Sequence, residues 1–446
     1  MRSTEELRRM DRRHLWHPYT DIESFQNSDF CVMEKGDGVY LQNTDGRRIL
    51  DGISSWWCVN LGHGHPAVVQ AVKSQADKLL HSIIGGMSHE KVAELSEKLA
   101  DIAPGGLSRV YLASDGASSV EAAVRMALQY WWNLGRPEKK NLVSLQAGYH
   151  GDTLGCAGLG FVERFHRPIQ HVLNRSLTGP SPHCFHCPFH ESPESCSLQC
   201  FDALEEVIVK NADTIAAVIV EPVCQGAAGM RIYPPEHTAE LRRVCSECDV
   251  LMILDEIAVG FGRTGRMFAS ELAGAVPDMM CVGKGLTGGT LPMSGVVLKE
   301  NIHDAFRSTG ERDRTFYHGH TYSGNPLAAA AACAAIDVYK EGSVLENGGM
   351  LSAILKKAFE EFRGIEGVHD AASLGCMTSL EVSEERGGAR AASAAAHAAL
   401  EMGLLIRPLG PVLYLWPPLV TTESELKKML KLFRRSLLIG IEESGV

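Results

Sequence analysis

Continuous apolar runs of strand length stand at 214–220, 250–254, 279–282 and 295–298, with shorter ones at 109–112 and 142–145. They lack polar alternation, and stretches of helical spacing, such as 118–133, separate them. A strand that is apolar on both faces is buried on both faces. The pattern therefore predicts an α/β fold with a mostly parallel central sheet under two layers of helices. Toward the end the character changes. Helical spacing covers 327–339, 348–362 and 423–439, and short strands are expected at 378–382, 404–407 and 412–416. The alanine-rich stretch 388–400 favours helix and is read as one, not as a tether. Near the start, 39–42 and 48–50 read as strands around the turn Asn43-Thr44-Asp45-Gly46. The expected organisation is a large domain over 70–335 and a smaller α+β domain built from both chain ends, 1–69 and 336–446.

Composition narrows the classes. At 446 residues the chain exceeds one usual hydrophobic core, which fits two lobes. Asp and Glu number 54 against 43 Lys and Arg, a net charge of -11, and no basic block interrupts the chain. Nucleic acid is thus not expected as a partner. No apolar stretch approaches the roughly 18 residues that span a bilayer, so no membrane association is expected. The charged segment from Met1 to Arg13 has no apolar signal-peptide core, and the expected location is cytoplasmic. The 13 cysteines are an odd number and scattered, as for reduced thiols.

Candidate chemistry sits where apolar runs end. Leu254-Asp255-Glu256-Ile257 places two carboxylates at a strand terminus, where open sheets bind ligands. A carboxylate there holds a protonated ring nitrogen, a metal or a hydroxyl, or simply caps the strand. Val282-Gly283-Lys284-Gly285 places a lysine between glycines at another strand end, which suits covalent bonding to a flat carbonyl ligand. Alone it reads as a lysine in a surface turn. Ser114-Asp115-Gly116-Ala117-Ser118 lies between a strand and a helix and presents backbone amides to a phosphate, or forms an ordinary helix cap. It matches neither a Walker loop nor GxGxxG. Gly148-Tyr149-His150-Gly151-Asp152-Thr153 could stack a ring on a planar ligand, and Gly319-His320-Thr321-Tyr322-Ser323 offers a second phosphate contact.

The conjunction is more specific than its parts. Asp255 precedes Lys284 by 29 residues, with Gly260-Phe261-Gly262-Arg263-Thr264-Gly265 between them. In this order and spacing the chain resembles the class III aminotransferases over nearly its whole length. The resemblance implies fold type I and pyridoxal 5'-phosphate (PLP) as cofactor. It implies that Lys284 bonds the cofactor and shuttles a proton, and that Asp255 holds the pyridine nitrogen. Tyr149 would stack on the ring, and Gly116, Ala117 and Ser118 would bind the phosphate. Thr321 would reach that phosphate from a partner subunit, giving a homodimer with shared active sites.

Aromatic stretches narrow the resemblance. His14-Leu15-Trp16-His17-Pro18-Tyr19-Thr20, Ser54-Ser55-Trp56-Trp57, Arg407-Pro408-Leu409-Gly410 and Tyr414-Leu415-Trp416-Pro417-Pro418 are similar to members that aminate 8-amino-7-oxononanoate in biotin synthesis. Small-molecule substrates follow. Arg407 would grip the acceptor carboxylate, and Tyr19, Trp56, Trp57, Tyr149, Lys284, Gly319 and Tyr414 would complete the substrate site. Adjacent tryptophans on a strand face opposite ways, so one of the pair is expected to be structural.

Two departures matter. Many relatives have Ser-Gly-Ser where this chain has Asp115-Gly116-Ala117. Adenosylmethionine-dependent members have Gly-Pro-Thr where this chain has Gly319-His320-Thr321, which is closer to lysine users. The donor is thus adenosylmethionine or lysine. Competing readings are another class III ω-amino acid aminotransferase, and a catalytically dead, zinc-stabilised binding protein on the same scaffold. The latter draws on Cys184, Cys187, Cys196 and Cys200, whose spacing suits zinc. Similar loops occur in the family without a known metal, and no residue is assigned to a metal at this stage.

Overall fold

A computed structural model of the chain describes residues 2–192, 195–310 and 312–444. Its centre is a seven-stranded sheet. In spatial order the strands are Leu107–Ala113, Ser294–Lys299, Met279–Val282, Leu251–Asp255, Ile215–Val220, Asn141–Leu145 and Leu177–Gly179. Only Ser294–Lys299 runs antiparallel to its neighbours, so the mostly parallel sheet is as expected. Every residue of Ile215–Val220, Leu251–Asp255 and Met279–Val282 is buried, which explains their lack of alternation.

Side chains alternate between two cores. Ile219 and Ile253 join Val120, Ala123 and Ala127 of the helix Gly116–Asn133. Val218, Val220, Met252 and Leu254 join Phe201, Leu204 and Leu241 of the helices Gln199–Asn211 and Pro235–Glu247 on the other face. This two-sided cover holds rigid the edge from which the strands' carboxyl ends emerge.

The two chain ends meet in a separate four-stranded sheet of Met33–Asp37, Tyr40–Asn43, Arg48–Asp51 and Leu404–Leu405, the last parallel to Arg48–Asp51. A three-stranded sheet, Val368–Leu374, Met377–Val382 and Val412–Leu413, lies beside it in the chain's last part. The alanine-rich segment is the helix Gly388–Glu401, packed on the terminal helix Glu423–Ser444. Gly440 permits the close approach, because a Cβ there would collide with the Ala391 carbonyl and Ala395.

One expectation is corrected. Trp56 and Trp57 lie on the short turn Ser54–Trp57, not on a strand. Four consecutive residues, Ser54, Ser55, Trp56 and Trp57, have φ of 49°, 44°, 78° and 70°. Left-handed backbone costs about 1–2 kcal/mol per non-glycine residue, so the surroundings must impose it. Asp51 does so from beneath. Its Oδ1 accepts from the Ser55 and Ile53 amides at 3.0 and 3.2 Å, and its Oδ2 from Ser55 Oγ at 2.7 Å and His63 Nε2 at 2.9 Å. Fully buried Arg263 grips the same turn through Ser54 Oγ at 2.9 Å, and Ser54 Oγ donates to the Trp416 carbonyl at 2.7 Å.

Burial alone would raise the Asp51 carboxyl, but the hydrogen bonds from His63 and Ser55 outweigh it and hold its pKa below 3.8. The folded state therefore favours the ionised form. That stabilisation is complete above the ordinary carboxylate range and is lost as pH falls through the folded pKa. Asp51→Asn is expected to cost roughly 2 kcal/mol at pH 7, the scale of a hydrogen bond to a charged group. Urea unfolding of both proteins measures it, and the gap should narrow below about pH 4.

Candidate active site

The parallel strands deliver their carboxyl ends to one edge of the central sheet, which is where open sheets bind ligands. Past Leu107–Ala113 comes Asp115-Gly116-Ala117, past Met279–Val282 comes Lys284, and Ile215–Val220 runs into Glu221. Asp255 ends its own strand. With Tyr149, His150, Gly151, Asp152 and Trp57 these residues line one cavity of about 490 Å³. Residues 29 apart in sequence and others more than a hundred apart thus face one space.

Asp255 is 5 % exposed and held from two sides. Its Oδ2 accepts from His150 Nδ1 at 2.8 Å, and its Oδ1 accepts from the Ile257 amide at 3.1 Å. A carboxylate acceptor puts the imidazole proton on Nδ1. Lys284 opens a tight turn, Lys284–Thr287, with φ of 43°. Its Nζ sits 5.3 Å from the centroid of the Trp57 ring and has no salt-bridge partner among the described residues. Burial lowers its pKa from the ordinary lysine value, with Asp255 and Glu221 opposing the fall.

Glu221 was not singled out by the sequence reading, though the same signal marks it: an acid at the end of a buried apolar run. Burial pushes its carboxyl up to about 7, with Asp255 adding to the rise and His150 opposing it. It accepts from the amides of Tyr149 at 2.9 Å and Gly226 at 3.0 Å, and so fixes the Tyr149 backbone. Asp152, three residues after Tyr149, is a further residue that the sequence pattern does not mark; it accepts from Tyr19 Oη at 2.6 Å and Tyr149 Oη at 3.0 Å. Burial and Asp152 push the Tyr19 hydroxyl up to about 12.

Gly116 and Ala117 line the cavity, and their amides, at the first positions of the helix Gly116–Asn133, have no intrahelical acceptor. Ser118 is turned away. Its amide and its hydroxyl both donate to the Asp115 carboxylate, at 3.0 and 2.9 Å, so Ser118 is committed to the helix cap. Gly151, with φ of 120°, backs directly on Ala117, where a Cβ would clash.

Other expected substrate residues lie beyond the cavity wall. The Arg407 guanidinium sits 4.3 Å from the Trp56 ring centroid and 5.7 Å from that of Tyr19, without a carboxylate partner among the described residues. Tyr19 and Trp56 meet edge to face at 5.5 Å. Tyr414 is fully buried behind Trp57, accepting from its Nε1 at 3.1 Å, so it positions Trp57 and cannot itself meet a ligand here. Gly319 and Thr321 are exposed and do not line this chain's cavity.

These features fit PLP. An unpaired, partly desolvated amine suits its aldehyde, and a fixed carboxylate suits its ring nitrogen. Two free amides at a helix start, with Gly151 packed so closely on Ala117 that a Cβ at 151 would clash, suit its phosphate.

Residues 23–437 match the family model described as aminotransferase class III. The chain is 39% identical over 455 residues to an adenosylmethionine-8-amino-7-oxononanoate aminotransferase of Nitratidesulfovibrio vulgaris, covering 99% of this chain and 83% of that one. The crystal structure of the enzyme of that name from Methanocaldococcus jannaschii superposes with a TM-score of 0.92 at 33% identity, covering all of both chains. An amine transaminase from an uncultivated Pseudomonas species, solved in a PLP-bound form, superposes with a TM-score of 0.90 at 32% identity over 97% of this chain and 99% of that one.

Proposed function

The chain belongs to the class III aminotransferases and is a PLP-dependent transaminase, and from that premise we propose that it aminates 8-amino-7-oxononanoate to 7,8-diaminononanoate in biotin biosynthesis. The observation that carries the acceptor is the Arg407 guanidinium, without a carboxylate partner among the described residues and packed against Trp56 with Tyr19 beside them, just beyond the cavity wall. A planar fork without an anionic partner is a receptor for a carboxylate, and the flanking rings offer apolar wall to an alkyl chain. The amino donor is adenosylmethionine or lysine.

When bound, PLP supplies an aldehyde carbon that takes up amines and a ring that accepts electron density. The chain supplies the rest. Lys284 would be the amine that holds that carbon, and its Nζ would move the proton at the donor's Cα; burial lowers its pKa, which favours that role. Asp255, oriented by His150, would hold the pyridine nitrogen protonated. Gly116 and Ala117 bind the phosphate through their amides. Tyr149, fixed by Glu221 and Asp152, covers the ring, and Trp57 walls the lysine side. In this arrangement residues 70–335 carry the cofactor site, while 1–69 and 336–446 supply Tyr19, Trp56, Trp57 and Arg407.

A homodimer belongs to the proposal. Exposed apolar side chains gather around Thr321, with Tyr322 64%, Leu80 60%, Ile83 57% and Met87 64% exposed. The Leu80 carbonyl accepts from Asn325, and His81 lies 5.2 Å from the Tyr322 ring, so the two segments form one face. A second copy covering that face would carry Thr321 to its partner's cavity.

A donor screen tests the function. Holoenzyme given 8-amino-7-oxononanoate with adenosylmethionine, lysine or alanine should form 7,8-diaminononanoate with one of the first two. Turnover of simple amines and ketones without any of this acceptor would instead favour a general ω-transaminase. Arg407→Ala should leave the cofactor spectrum unchanged and lower kcat/KM for the acceptor roughly thirtyfold, about 2 kcal/mol. Arg407→Lys should recover little, since an ammonium does not reproduce the fork. Acceptor kinetics equal to the parent's would remove Arg407 from the site.

A further inference from the structure

Outside the cavity that carries this chemistry, the loop 183–200 carries Cys184, Cys187, Cys196 and Cys200 in the spacing C-x2-C-x8-C-x3-C. None of them is in a disulfide. They stand on different local supports. Cys184 opens the tight turn Cys184–His186, and Cys200 lies in the first turn of the helix Gln199–Asn211. Even so, all four border one cavity of about 20 Å³, room for a single ion or water.

A second observation comes from another element. His237, in the first turn of the helix Pro235–Glu247, borders the same cavity. It is 0% exposed, and neither ring nitrogen has a hydrogen-bond partner among the described residues. A buried imidazole without partners is costly, and a neutral ring must place one N–H somewhere. A thiolate sulfur across the cavity would accept it, or the ring would serve as a ligand itself.

We propose that this loop is a thiolate metal site, with Cys184, Cys187, Cys196 and Cys200 holding one zinc ion and His237 supporting it from behind. The chemistry of the donors favours this. Four sulfurs around one small space burden each other as protons leave. A divalent cation reverses that cost, releasing protons as each thiolate binds.

The sulfurs are not among the described groups whose ligand atoms already lie within 4.8 Å of one another. Capture therefore draws them in to about 2.3 Å from a common centre by rotamer changes in the loop. The neighbouring trio His183, His186 and Glu381 does meet that spacing, but His186 Nε2 and Glu381 Oε1 already pair at 2.7 Å. That pair, with His369 stacked on His186 at 4.6 Å, ties the loop to the strands Val368–Leu374 and Met377–Val382. A zinc clip would hold the loop in place for this contact. It would be structural, apart from the PLP cavity.

Elemental analysis of untagged holoenzyme, purified without chelator and then incubated with zinc and desalted, should find about one zinc per chain. The double variant Cys187→Ser/Cys200→Ser should fall below about a tenth of that, while Cys248→Ser, outside the cluster, keeps the metal and both keep PLP absorbance. If the double variant does not fold, a mercurial titration of the parent holoenzyme decides, because zinc should leave as the cluster thiols are modified. Absence of retained zinc overturns the proposal. So does zinc that survives the double cysteine substitution but is lost in His183→Ala/His186→Ala, which would place the ion on the histidines.

Discussion

Lys284→Ala is expected to abolish transamination, by more than about a thousandfold, while the fold and its unfolding transition stay close to the parent's. In the proposed mechanism two roles disappear together: the amine that bonds the cofactor, and the base that moves the donor's Cα proton. The structure separates this loss from a folding defect. Nζ makes no salt bridge among the described residues, and the segment is held instead by backbone bonds and by Tyr339, whose hydroxyl donates to the Gly285 carbonyl at 2.9 Å. Borohydride reduction of PLP-loaded parent protein should leave the cofactor on the peptide containing Lys284. Labelling of another lysine would overturn the assignment. The same variant tests the shared site. Mixed and re-equilibrated with Thr321→Ala protein, inactive Lys284→Ala chains should restore part of the activity, since one site per hybrid then has both residues. No restoration would place Thr321 outside its partner's site.

Lys284 and Asp255 were legible in sequence for a physical reason. Each follows a run buried on both faces, and such a run has to end where the sheet ends, which is where ligands bind. Glu221 follows Ile215–Val220 by the same logic and was equally legible. The Trp56-Trp57 turn was not. Its left-handed backbone is imposed by Asp51 and by Arg263, which also donates to the Pro417 carbonyl, while Ser54 Oγ donates to that of Trp416. Local pattern cannot carry such an instruction. The exposed strand Met33–Asp37 is similar: it owes its shape to pairing with Tyr40–Asn43, not to hydrophobic periodicity. Ser118 shows the reverse limit. Its position in the phosphate turn was legible, but the aspartate that takes both its donors matters only once the helix cap has formed.

Asp255→Asn should keep PLP bound and slow the first half-reaction roughly a hundredfold, about 2–3 kcal/mol, the range of a hydrogen bond to a charged group. The shape survives, because an asparagine oxygen can still accept from His150 Nδ1 or from the Ile257 amide. What is lost is the negative charge that keeps a pyridine nitrogen protonated, and with it the ring's capacity to accept electrons. Binding and chemistry therefore part company: cofactor retention near the parent's, proton abstraction slowed. Rapid mixing of the holoenzyme with amino donor alone, followed by absorbance, isolates that step from acceptor binding. His150→Ala should give a smaller effect in the same direction, since it leaves the charge and removes only its orientation. If Asp255→Asn abstracts the proton at the parent rate, the charge comes from elsewhere. Glu221 is then the group to test, because it is the other buried carboxylate on this cavity, and Asp255 is near enough to add to the rise that burial gives its pKa.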